Sequence, residues 1–101
     1  MPFGDFVNSI PPIGFLAVHV ALFAAGTYFA WRSFATGATL LGLGFSLFAL
    51  GEVSYMTYHL DWTVFLFAHT ISEVLVLGAF LLVFLGATRS ALQAGSARVG
   101  A

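Results

Sequence analysis

From Ile13 to Trp31 the chain runs without a single Asp, Glu, Lys or Arg. A second apolar stretch, Thr36 to Tyr58, is interrupted only by Glu52, and a third, Trp62 to Ala87, only by Glu73. A helix rising 1.5 Å per residue needs about 20 mainly apolar residues to cross the hydrocarbon of a bilayer. The pattern predicts an all-α membrane protein with three transmembrane helices over 13–31, 36–58 and 62–87. Pro11-Pro12 opens the first, where proline is tolerated because the N–H groups of a first turn have no intrahelical partner. The connections Arg32–Ala35 and His59–Asp61 are short, so neighbouring spans are expected to pack as an antiparallel bundle.

Two segments flank the spans. In residues 1–12, Phe3, Phe6, Val7 and Ile10 recur at i, i+3, i+4 and i+7, the spacing of a short helix lying on the membrane surface. This segment carries Asp5 and no basic residue, which argues against a cleavable signal. Residues 88–101 are small and polar and are expected to form a flexible tail.

Composition strengthens the membrane reading. Only 7% of the 101 residues are charged and 60% are hydrophobic, with a mean hydropathy of +1.02. A soluble domain carries roughly 25% charged residues. A surface this poor in charge suits contact with lipid. The formal charge of −1, the absence of Lys and the lack of a basic stripe argue against a nucleic-acid partner. There is no cysteine, hence no disulfide, thiolate metal site or cysteine nucleophile.

Charge also orients the chain. Arg32, Arg89 and Arg98 are its only basic residues apart from histidine, and alternation of the spans puts all three on one side. Asp5 and Asp61 fall on the other. The positive-inside rule makes the arginine side cytoplasmic, with the N-terminus outside and the C-terminus inside a cytoplasmic-type membrane. Trp31 and Trp62 stand at span boundaries, as interfacial anchors do.

Candidate chemistry is confined to a few positions. An ionisable side chain at the centre of a span costs at least ~2.5–3.5 kcal/mol and marks function by default. His19, Glu52 and His69 each lie six or seven residues inside a predicted outer boundary, so all three sit ~9–10 Å deep. Glu73 is one turn deeper, and His59 is at the mouth. Glu52 and His59 are seven apart and differ by only ~20° around their helix, with Tyr55 and Met56 beside them. His69 and Glu73 form an i, i+4 pair. The simplest packing turns these faces inward as one layer.

At this depth a Glu must be neutral, paired or metal-bound. One reading is a transition-metal site for Zn, Fe, Mn or Cu, with His19, His69 and Glu52 as ligands and Glu73 or His59 as a further one. Another is b-type haem, with His19 and His69 as axial ligands. The slot would come from the phenylalanines and from a stripe of Gly37, Gly44 and Gly51 at a spacing of seven. Gly44 and Gly51 would border it. A plainer use of that stripe is close helix packing.

The third reading is a metal-free hydrogen-bond network. It would pair His19 with Glu52 and His69 with Glu73, and it would hold helices together or relay protons through Glu52, Glu73 and Tyr55. Taken singly, His59 beside Asp61 reads as a solvated loop histidine, Tyr55 and Tyr58 as belt residues, and Met56 as packing. The hydroxyls of Thr70 and Ser72 are expected to bond their own helix. The expected role is metal handling or electron and proton transfer, with the chain acting as a homo-oligomer or a complex subunit. The alternative is a non-catalytic accessory subunit of a membrane complex.

Overall fold

A computed structural model describes the backbone of residues 3–100 and the side chains of residues 3–96. It is all-helical, with α1 over Pro12–Ala35, α2 over Thr39–His59 and α3 over Phe65–Gly100. All three are long and apolar enough to cross a membrane. The 24 residues of α1 and the 21 of α2 give lengths of ~36 and ~32 Å, against a hydrocarbon thickness of ~30 Å.

Both interhelical turns end their helices in the same way. After α1, the Gly37 N–H donates to the Phe34 carbonyl and the Ala38 N–H to the Ser33 carbonyl, with Gly37 at φ +80. After α2, the Asp61 N–H donates to the Tyr58 carbonyl and the Trp62 N–H to the Thr57 carbonyl, with Asp61 at φ +63. These are paired C-terminal caps that need one left-handed residue each, which glycine and aspartate supply at low cost. Gly37 is therefore a helix terminator in the turn and does not share a helical stripe with Gly44 and Gly51. The second turn occupies residues 60–64, so α3 starts at Phe65 and not at Trp62.

The ends differ from the sequence expectation as well. The N-terminal segment forms a short 3-10 helix, Asp5–Ser9, where the sequence suggests a short helix on the membrane surface. Pro11 and Pro12 force the residues before them toward extended backbone, and Ile10 and Pro11 adopt ψ 128 and 151. At the other end α3 continues through the expected tail to Gly100. No proline interrupts it, and Ala91, Leu92, Gln93 and Ala94 are strong helix formers. The side chain of Arg98 lies outside the described residues.

Among the described residues the interior is made of small side chains. Ala30, Ala49, Ala68 and Ala79 are buried together with Gly26, Gly42, Gly44, Gly51 and Ser72, whereas many large apolar side chains, among them Trp31, Leu66, Phe80 and Phe84, are exposed. Lipid gives large apolar groups no reason to leave the surface, so close backbone approach governs the contact between helices. On the α1–α2 side the Phe34 ring lies over Gly42, and Phe48 and Ala49 pack on Gly26. On the α2–α3 side, a Cβ at Gly44 would stand 3.1 Å from the Ala79 carbonyl, and one at Gly51 would stand 3.7 Å from that of Ser72. The Ser72 hydroxyl, fully buried, donates to the Gly51 carbonyl at 2.8 Å, and Ser54 donates to the Ala68 carbonyl at 3.1 Å. Ser72 thus bonds across to α2 and not within its own helix.

The helix α2 is central. It packs along both α1 and α3, while no Cα of α1 comes within 8 Å of a Cα of α3. A groove therefore runs between α1 and α3 with α2 as its floor. Ionic side chains separate to opposite ends of the helices. Arg89 lies beside the Gly37 turn that follows Arg32, and Asp61 lies in the other turn.

Candidate functional site

Three helices contribute to one polar cluster near the end that bears the Leu60–Val64 turn. From α1 comes His19 and from α2 Glu52, and the two side chains meet with His19 Nδ1 2.5 Å from Glu52 Oε2. Glu52 is buried, with only 9% of its side chain accessible, and this imidazole is the partner that makes its burial tolerable.

One turn along α2 stands Tyr55. Its hydroxyl lies 3.1 Å from His69 Nδ1 and donates toward Glu73 Oε1 at 3.4 Å, so it touches both ionisable groups of α3. A phenol has one proton to donate and lone pairs to accept with, so it can stand between two titrating groups. The i, i+4 spacing of His69 and Glu73 brings both within reach of one hydroxyl. The link between them runs through Tyr55, not directly. Glu73 differs from Glu52 in being exposed.

Aromatic stacking joins the two hydrogen-bonded groups. The rings of Phe15, His59, His19 and Tyr55 form a column that alternates between α1 and α2, with successive centroids 5.5, 5.1 and 5.0 Å apart and interplanar angles of 4, 26 and 19°. Phe65 stacks on His69 at 5.2 Å. His59 is therefore half-buried in this column at the last residue of α2, where the sequence suggests a solvated loop residue. Tyr55 is likewise an inner connector and not a belt residue.

The sequence-derived site residues are thus brought together, but as two units. His19 pairs with Glu52; Tyr55 joins His69 and Glu73; His59 stacks on His19. Among the described residues, no three His, Asp or Glu side chains converge as metal ligands do. Tyr55 contacts both His19 and His69, its ring stacking on the first and its hydroxyl lying at hydrogen-bond distance from the second. Gly44 and Gly51 face Ala79, Val83 and Ser72 of α3.

No known protein family, curated protein or solved structure matches the chain. Its function has to be argued from these residues.

Phe15 and Phe65 are part of the cluster although sequence reasoning passes over them. Each stands four residues before a histidine or opposite one, and a phenylalanine at i−4 from His69 is a legible stacking signal on one helix. The Phe15–His59 contact crosses between helices and has no such local signal.

Proposed function

We propose that this chain is a small integral membrane subunit whose polar layer carries protons between the outer surface and a point inside the bilayer. In this reading the three helices span the membrane as an antiparallel bundle, with the N-terminus outside and the arginines in the cytoplasm. Residues 5–9 lie at the outer interface. The chain acts within an oligomer or a larger membrane complex.

One observation carries the reading: the Tyr55 hydroxyl lies within reach of both His69 and Glu73. With Nδ1 protonated, His69 donates to the phenol oxygen, and the phenol donates to the Glu73 carboxylate. A proton entering at His69 is then delivered to Glu73 without the phenol retaining charge. Glu52 and His19 form a second proton-sharing pair, held beside the first by the stack of His19 on Tyr55. The exposure of Glu73 within an apolar span supports the hand-over role, since an ionisable group there faces a partner and not lipid alone. The inner half of the bundle offers no continuation, so the relay ends at Glu73 and serves whatever meets it.

The test begins with protein purified without a metal-affinity tag. The relay requires neither a haem absorption band nor a stoichiometric first-row metal. A metal lost in both Glu52→Ala and His69→Ala, or a Soret band, would instead establish the ligand roles of these side chains. Infrared titration then follows the carboxyl bands, with Glu73 assigned through Glu73→Gln. Tyr55→Phe is expected to uncouple the titration of Glu73 from that of His69 while leaving the fold intact.

A further inference from the structure

Ser72, Ala79, Gly86 and Gln93 are spaced by seven along α3 and so share one stripe of that helix. The first three are buried, and each lies against α2. A Cβ at Gly86 would stand 3.1 Å from the Leu41 nitrogen, so the two backbones come close there. The contacts run from Ser72 with Gly51, through Ala79 with Gly44, to Gly86 with Leu41, and α2 begins only two residues before Leu41, at Thr39. Beyond Gly86 the stripe therefore outruns α2, and on that length it turns polar. Arg89, Ser90 and Gln93 stand at i+3, i+4 and i+7 from Gly86, on its face of the helix. With Thr39 they line a pocket of about 230 Å³, and Leu41 and Gly86 line its deeper side.

We infer that this pocket holds the phosphate ester of an anionic phospholipid, with the Arg89 guanidinium on the phosphate oxygens. The lining offers donors and no anion: a guanidinium, the hydroxyls of Thr39 and Ser90, and the Gln93 amide. The chain has four carboxyl side chains, Asp5, Glu52, Asp61 and Glu73, and none lines the pocket. The one ion pair among the described residues is that of His19 with Glu52, so Arg89 is left without a carboxylate partner there. The three histidines stand with Glu52 and Glu73 in the distant polar cluster and add nothing to the charge of this pocket. A planar guanidinium matches phosphate oxygens in pairs, as a point charge does not. Arg89 also stands two residues beyond the apolar stretch that ends at Ala87, at the level where head groups lie, and basic pockets between membrane helices characteristically take phospholipid heads. A zwitterionic head would bring an ammonium group for which the pocket has no carboxylate, which favours a head of net negative charge. A soluble phosphate ester shares the head chemistry but lacks the chains that would lie along the apolar spans.

The pocket is independent of the proton relay, which lies at the other end of the helices. Its test titrates the purified full chain in nonionic detergent with dioleoylphosphatidylglycerol, dioleoylphosphatidylcholine and glycerol phosphate, and counts bound molecules by native mass spectrometry. The expected result is one phosphatidylglycerol per chain, held at least about tenfold more tightly than phosphatidylcholine, with no retention of glycerol phosphate. Arg89→Gln should weaken binding of that lipid about tenfold by removing charge-assisted donors. Arg32→Gln removes the same charge at the same end of the bundle but outside the pocket, and it should change binding by less than about twofold. Arg89 is exposed, so its substitution should leave the helices intact, and circular dichroism of both variants checks this. Absence of saturable lipid binding by the folded chain, or equal affinity for phosphatidylcholine, would overturn the inference. So would an Arg32→Gln loss as large as that of Arg89→Gln, which would mean that general surface charge and not the pocket attracts the lipid. Glycerol phosphate bound as tightly as phosphatidylglycerol would overturn the lipid as the source of the phosphate.

Discussion

His19 of α1 and Glu52 of α2 meet at 2.5 Å, beside the ring of Tyr55 that stacks on His19. The contact joins two helices that also meet through Phe48 and Ala49 on Gly26 and through the Phe34 ring over Gly42. It is a tether between the two helices.

As a tether, the pair should show coupling in a double-mutant cycle. His19→Ala and Glu52→Ala are each expected to destabilise the fold, and the double variant should lose less than their sum. The coupling should fall near the ~0.6–2 kcal/mol measured for polar contacts between membrane helices. Unfolding in mixed detergent micelles provides the stabilities; strict additivity would show that the two side chains do not support each other.

Close packing of α3 on α2 depends on Gly44. Its substitution by Ala puts a methyl 2.7 Å from the Val83 side chain and 3.1 Å from the Ala79 carbonyl, and the carbonyl is backbone that cannot rotate away. A loss of about 1–3 kcal/mol is expected. Gly37→Ala should also be costly, by about 1–2 kcal/mol, but for a different reason: its φ of +80 disfavours a side chain although the space is open. Gly95→Ala meets nothing within 4 Å in a helix and should be neutral or stabilising. Thermal unfolding of the three variants tests this order.

The Ser72 hydroxyl is fully buried and bonded to the opposite helix. Ser72→Ala should therefore cost about 1 kcal/mol, the net value of one such bond. Ser72→Val should cost more, because the added methyls enter the contact with Gly51. Near-equal stability of Ser72→Val and wild type, again by detergent unfolding, would mean that α2 and α3 are not held this closely.

His59 sits between Phe15 and His19 as one ring in a column. His59→Phe keeps a ring there and should leave stability nearly unchanged, while His59→Ala should cost about 0.5–1.5 kcal/mol. If the two variants lose the same amount, the stack contributes nothing and His59 matters only through its polarity.

The spans are legible because composition leaves no other solution: Ile13 to Trp31 holds no Asp, Glu, Lys or Arg, and a run of that kind cannot face water. That His19, Glu52 and His69 fall near one level of the bundle is legible for the same reason, since rise per residue converts position along a helix into height. What height does not contain is rotation. The part of Tyr55 as connector depends on how α3 turns against α2, which is set by Gly44, Gly51 and Ser72 together. A spacing of seven between glycines likewise does not tell a helix stripe from a terminator, and only the left-handed backbone at Gly37 separates it from Gly44. The continuation of α3 beyond Ala87 runs against a polar composition that reads as tail, yet its residues are good helix formers.

The central claim is that Glu73 exchanges protons with the outer surface through Tyr55. Its most direct test is sided infrared difference spectroscopy on oriented proteoliposomes, with the pH stepped on one side of the membrane at a time and the Glu73 carboxyl band identified by its loss in Glu73→Gln. The account predicts that the band responds promptly to the side bearing the Leu60–Val64 turn, hardly at all to the side bearing Arg32 and Arg89, and slowly to either in Tyr55→Phe. A band that follows the arginine side, or one whose response is unchanged in Tyr55→Phe, would contradict it.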